Sequence, residues 1–136
     1  MTNNTFDYII IEKQYGSLEY ISNFIQERSL ASKLNFKRTW ELMLVVDEIC
    51  NAIIICSNDN ETELKLIWKD FKKYVEVEIL EEGEEFNPLV KHEDEEYCSE
   101  IEGMGVYLIS KMVDKATYQR CKGINKICII KNKCKD

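Results

Sequence analysis

The hydrophobic pattern changes period several times along this chain, and each change marks an element. Residues 5–13 (TFDYIIIEK) are rich in aromatic and β-branched side chains, which predicts a first strand. Gly16-Ser17 punctuates that run. Leu18, Ile21, Phe24, Ile25, Arg28 and Leu30 then recur near the 3.6-residue period. They predict an amphipathic helix over 17–33, with Ser17 as its N-cap. Asn35 is placed to cap a second helix over 36–57. Most of its apolar positions (Trp40, Leu42, Val45, Val46, Ile49, Ala52, Ile53 and Cys56) share one face. The opposite face holds Asp47, Glu48 and Asn51, but also Leu44 and Ile55. A helix apolar on two sides is buried on both or walls a pocket.

Ser57-Asn58-Asp59-Asn60 is a turn cluster. Two alternating stretches follow, ELKLIW (63–68) and KYVEVEIL (73–80), and read as antiparallel strands with one wet face. Residues 81–102 are acidic, aperiodic and contain the sole proline, so they read as a long functional loop. Residues 103–114 begin with Gly-x-Gly and turn helical; strands over 115–121 and 124–131 flank Lys122-Gly123. The order β-α-α-β-β-loop-α-β-β predicts one α+β domain spanning 1–136. It is a two-layer sandwich of a mixed, mostly antiparallel sheet with helices on one face.

Composition narrows the function. The chain has 136 residues, of which 45% are hydrophobic and 32% charged, an ordinary balance for a folded domain. Its longest apolar runs, 42–46 and 52–56, are far short of the roughly 20 residues that span a bilayer. The N-terminus lacks the basic and apolar regions of a signal peptide, so a cytoplasmic location is expected. A net charge of −7 disfavours nucleic acid and anionic membranes as partners. The six cysteines show no C-x-x-C spacing and His92 stands alone, which argues against zinc. Reduced thiols are expected, with Cys50, Cys56 and Cys128 as packing residues.

Three stations can carry chemistry. On the second helix, Asp47 and Asn51 are four apart and Glu48 and Asn51 three apart, so either pair shares a side. A carboxylate beside a carboxamide suits a hard metal ion, or a proton acceptor for an attacking hydroxyl; it equally suits a solvated stripe. Glu81 ends a strand and is followed closely by Gly83, an arrangement that suits a ligand amino group or a plain acidic turn. Gly103-Met104-Gly105-Val106 opens a helix, a natural anion site or a flexible helix start.

Taken in order, these stations resemble the Bergerat-fold (GHKL) ATPases. The resemblance is closest to their small stand-alone branch of anti-sigma factors that are also serine-protein kinases. It rests on DEICNA (47–52), EEGEEFNPL (81–89), GMGVYLISKMVDKATY (103–118) and Gly123-Ile124-Asn125 before the last strand. It implies the Bergerat ATP-binding fold, ATP and Mg²⁺ as cofactors, and phosphorylation of a serine on an antagonist protein. It also implies a homodimer that sequesters a sigma factor and so regulates transcription. By resemblance Asn51 ligates Mg²⁺ and Asp47 acts as base or water-orienter, with Glu48 as the alternative. Glu81 takes the adenine amino group, Gly83 admits the base, and backbone donors at Gly103, Met104, Gly105 and Val106 hold the phosphates. Residues 84–102 form the lid.

Two positions depart from the family pattern. Glu81 stands where the family carries Asp, and Asp47 where it carries Glu. With the acidic lid, these departures leave a second expectation open: a degenerate Bergerat domain that binds protein without turning over ATP.

Overall fold

Among the described residues, five strands and two long helices carry the fold. The computed structural model describes residues 5–56, 62–90 and 109–134. Strand β1 (Thr5–Glu12) leads into helices α1 (Ser17–Ala31) and α2 (Phe36–Cys56). Strands β2 (Glu63–Asp70) and β3 (Tyr74–Glu82) follow. After helical residues 109–112 come β4 (Lys115–Cys121) and β5 (Ile124–Asn132).

The strands form one sheet in the order β1-β2-β3-β5-β4. Every pairing among the described strands is antiparallel, within the two-layer α+β arrangement that the sequence predicts. The physical reason lies in the connections. β2–β3 and β4–β5 are joined by tight turns, which force antiparallel pairing. The β4–β5 turn has two central residues, Lys122 and Gly123, both at positive φ (50° and 80°). This is the turn geometry whose twist matches the flanking strands.

Alternation sets the core. Leu64, Leu66 and Trp68 on β2, Val75, Val77 and Ile79 on β3, and Ile127 and Ile129 on β5 are buried on one sheet face. They share their core with Ile21, Phe24 and Ile25 of α1 and with Leu42, Val45, Val46, Ile49 and Ile53 of α2. Trp68 is fully enclosed, and its indole N–H donates to Ser32 Oγ at 3.1 Å. Trp40 instead stays exposed near the start of α2.

The helix ends differ from the sequence expectation in one place. Asn35 caps α2, its Oδ1 accepting from the Arg38 N–H at 2.8 Å. Ser17 does not cap α1: it is the first helical residue, and Gly16 precedes it without a side-chain cap. The chain already turns helically there, because the Ser17 and Leu18 N–H groups donate to the Gln14 and Tyr15 carbonyls. β3 also runs through Glu82, which moves Glu81 and Glu82 out of the expected loop and into the sheet.

The cysteines divide. Cys50 is buried, Cys128 half-buried, and Cys121 and Cys134 exposed; all four are free thiols. Cys56 packs in the core as expected, but it is disulfide-bonded, which overturns the expectation of a reduced thiol. No helix among the described residues is long and apolar enough to cross a membrane.

Ile79 is fully buried on β3, which pairs with both β2 and β5. Ile79→Ala is expected to cost about 2–5 kcal/mol, measured by urea unfolding.

Candidate functional site

The sheet's helix-facing side ends in a polar row. Leu64 pairs with Glu81, Glu81 with Asn125, and Asn125 with Arg120 across adjacent strands. One pleat inward the row is hydrophobic: Ile9, Leu66, Ile79, Ile127 and Tyr118. The period of two along each strand thus carries Glu81 and Asn125 to the same face as the core.

Neither of these polar groups faces open solvent. Glu81 is 1% exposed and Asn125 is 0% exposed. Lys13, just beyond β1, is buried too; its Nζ donates to Glu81 Oε2 at 3.0 Å. β1 and β3 are separated by β2, and neighbouring strands lie about 4.8 Å apart. The long lysine stem therefore bridges the width of β2 to reach the carboxylate. The other carboxylate oxygen, Oε1, accepts from Asn125 Nδ2 at 3.0 Å.

Asn125 holds the rest of the cluster. Its Oδ1 accepts from the Tyr118 hydroxyl at 2.6 Å, an Arg120 guanidinium N–H at 3.0 Å and the Phe86 N–H at 3.2 Å. Its amide also donates to the Glu84 carbonyl at 2.8 Å. These bonds tie the chain after β3 onto β4 and β5, and Phe86 is buried. Burial, with the nearby Glu85 charge, pushes the Tyr118 hydroxyl above its ordinary range, so it stays a donor. Gly83 has φ +154°, a conformation that L side chains rarely adopt, and its N–H donates to the Gly123 carbonyl at 3.0 Å. The open space beside it, where an added Cβ would meet only Glu81 Oε2 at 3.9 Å, shows that backbone geometry selects the glycine.

Asp47, Glu48 and Asn51 lie along one stretch of α2, all half-buried. Burial pushes the Asp47 carboxyl above its usual range. Burial, then the Asp47 charge, does the same to Glu48. The adjacent Cys50 thiol is raised strongly by burial and then by Asp47, so it is no nucleophile. Cys128, on the sheet's outer face, is likewise pushed up to about 11, by burial first and then by Glu76 and Glu78. Gly103, Met104, Gly105 and Val106, His92 and most of the expected lid lie outside the described residues.

The two ends of the expected nucleotide site answer differently. At the helix end, Asp47 and Asn51 offer oxygen donors one turn apart on a half-open face, which suits Mg²⁺. At the base end the residues do not fit a nucleobase. Glu81 would have to give up an ammonium partner in a site closed to water. In the sequence, Lys13 is only the last residue of a strand. A lysine directly after an amphipathic strand looks solvated, and only the sheet order brings it to Glu81.

Removing one member of a buried ion pair costs about 3–5 kcal/mol, whereas replacing both with apolar groups is near neutral. Lys13→Met is therefore expected to lose that much in urea unfolding, and Lys13→Met with Glu81→Leu to recover most of it. A pH effect follows from α2. A carboxyl raised in the folded state contributes nothing below its unfolded value and opposes folding once ionised above the folded value. Asp47→Asn is thus expected to stabilise the fold at neutral pH, with the gain vanishing below the carboxylate range, read from urea titrations at both pH values.

Comparison with known proteins agrees with this geometry at the level of the fold. No curated protein matches the chain. The structure is similar to that of the RsbU and RsbW domains of Rv1364c from Mycobacterium tuberculosis, with a TM-score of 0.67 and 7% identity. The match covers 93% of this chain and 32% of that one, so the present chain spans about a third of its neighbour. The model of the histidine kinase-like ATPase domain matches residues 12–131, and the chain belongs to that family.

Proposed function

We propose that this chain is an anti-sigma-factor-type regulatory domain that acts by holding a protein partner, with the base end of its nucleotide pocket sealed. The carrying observation is the buried Lys13–Glu81 pair, closed on its second oxygen by Asn125. Family membership and the likeness to a structure containing an RsbW domain support the regulatory class. By the same resemblance its partners are a sigma factor and an antagonist protein, it works as a homodimer, and its location is cytoplasmic.

A sealed base end changes the energetics of nucleotide binding. An adenine amino group is a neutral donor, and hydrogen bonds to a charged donor are about twice as strong. A base that displaced Lys13 would leave an ammonium buried without its carboxylate, a cost of several kcal/mol.

A second reading keeps ATP and serine-kinase activity, and the Asp47–Asn51 pair favours it. In that reading Asn51 holds Mg²⁺ and Asp47, or Glu48, orients the attacking hydroxyl. Backbone groups at Gly103, Met104, Gly105 and Val106 receive the phosphates, and phosphoryl transfer rests on positioning and electrostatics.

Calorimetric titration with ATP and ADP, with and without Mg²⁺, separates the two. The sealed-pocket reading expects no binding at millimolar nucleotide. Metal-dependent micromolar binding that disappears in Asn51→Ala would overturn it and establish the kinase reading.

A further inference from the structure

Lys13 does more than neutralise Glu81. Its ammonium is a primary amine bearing N–H donors, delivered from the chain itself to a carboxylate at the floor of the fold. Both partners are fully enclosed, with side-chain exposures of 0% and 1% at 3.0 Å. Asn125 engages the remaining carboxylate oxygen and is itself held by Tyr118, Arg120 and Phe86. The acceptor is thus fixed in place, and Lys13, from outside the β3–β5–β4 cluster, completes it.

We propose that Lys13 is a built-in amine ligand of Glu81, the specificity-determining residue that keeps this carboxylate from external amines and aminopurines. The proposal rests on the reading that the base end is sealed. Three features carry it. Lys13 belongs to the link between β1 and α1 rather than to the cluster, so removing it leaves the carboxylate's other supports standing. The side chain is long and unbranched, so its truncation vacates the space over β2 beside a fixed carboxylate. That carboxylate then lacks its charge partner in a water-poor site, where a cation with N–H donors is favoured over a donor-less one and an amino group over a carbonyl oxygen.

The test is chemical rescue of Lys13→Ala, followed by thermal unfolding. The probes are ethylammonium, tetramethylammonium (the same charge without N–H donors), adenosine (a 6-amino purine) and inosine (its 6-oxo counterpart). The variant's Tm is expected to rise with ethylammonium and with adenosine, and to ignore tetramethylammonium. Adenosine should act at about tenfold lower concentration than inosine, the worth of one hydrogen bond to a charged acceptor. The parent protein should respond to none of them.

Equal responses to adenosine and inosine, or no response to ethylammonium, would overturn the proposal. If Lys13→Ala does not fold alone, refolding yield from urea is read with the same probes. Recovery with ethylammonium and not tetramethylammonium supports the assignment, and equal or absent recovery overturns it. Lys13→Met with Glu81→Gln removes both charges and should ignore every amine; a response there would place binding elsewhere and overturn it. Failure of the sealed-pocket reading is seen separately, as nucleotide binding by the parent protein whatever the variants do.

Discussion

The buried pair of Lys13 and Glu81 is the constraint on which the polar end of the sheet's helix-facing side depends. A carboxylate enclosed at the edge of a hydrophobic core is untenable without compensation. Lys13 supplies the charge, and Asn125 supplies the second hydrogen bond. Asn125 in turn gathers Tyr118, Arg120 and the chain at 84–86. One acidic residue thus organises strands β3, β4 and β5 and the link after β1. Its neighbours one pleat inward are an ordinary apolar core.

The opposite end of the same face shows a related solution. Lys131 on β5 is buried, and its ammonium donates to Glu41 of α2 at 2.9 Å and to the Met112 carbonyl. That bond satisfies a carbonyl at the close of the helical stretch 109–112, where a cation is favoured by the helix dipole. Cations therefore pin both ends of the helix–sheet interface, one to a helix and one to the sheet itself. The apolar rows between them supply the driving force for packing, and the Lys131–Glu41 pair ties α2 to β5. A hydrophobic replacement would hold the layers together as well, but would not fix which polar groups meet.

This arrangement separates family from function. Membership in the histidine kinase-like ATPase family is carried by the match over 12–131 and by the fold. What the site does with a ligand depends on a few side chains grafted onto that fold. Asp47 and Asn51 lie one turn apart on α2. Glu81 stands near the end of β3 and has an internal partner in Lys13.

Much of this was legible in the residues. Alternation in ELKLIW and KYVEVEIL determined two strands and their buried faces, because a strand's side chains have a period of two whatever surrounds it. Asn35 determined the start of α2, because a cap is a local hydrogen bond. Lys122-Gly123 determined the last hairpin, and the spacing of Asp47 and Asn51 determined their shared helix face. Local chemistry misjudged Ser17, since a preceding turn had already begun the helix. The tertiary structure alone decided the fate of Glu81. Lys13 and Glu81 are 68 residues apart, and Asn125 is 44 beyond Glu81. No local pattern links them, and Lys13 carries the sequence character of a solvated charge. Only the strand order β1-β2-β3-β5 places the three at one end of the same face, where exclusion of water turns separate polar residues into a closed cluster.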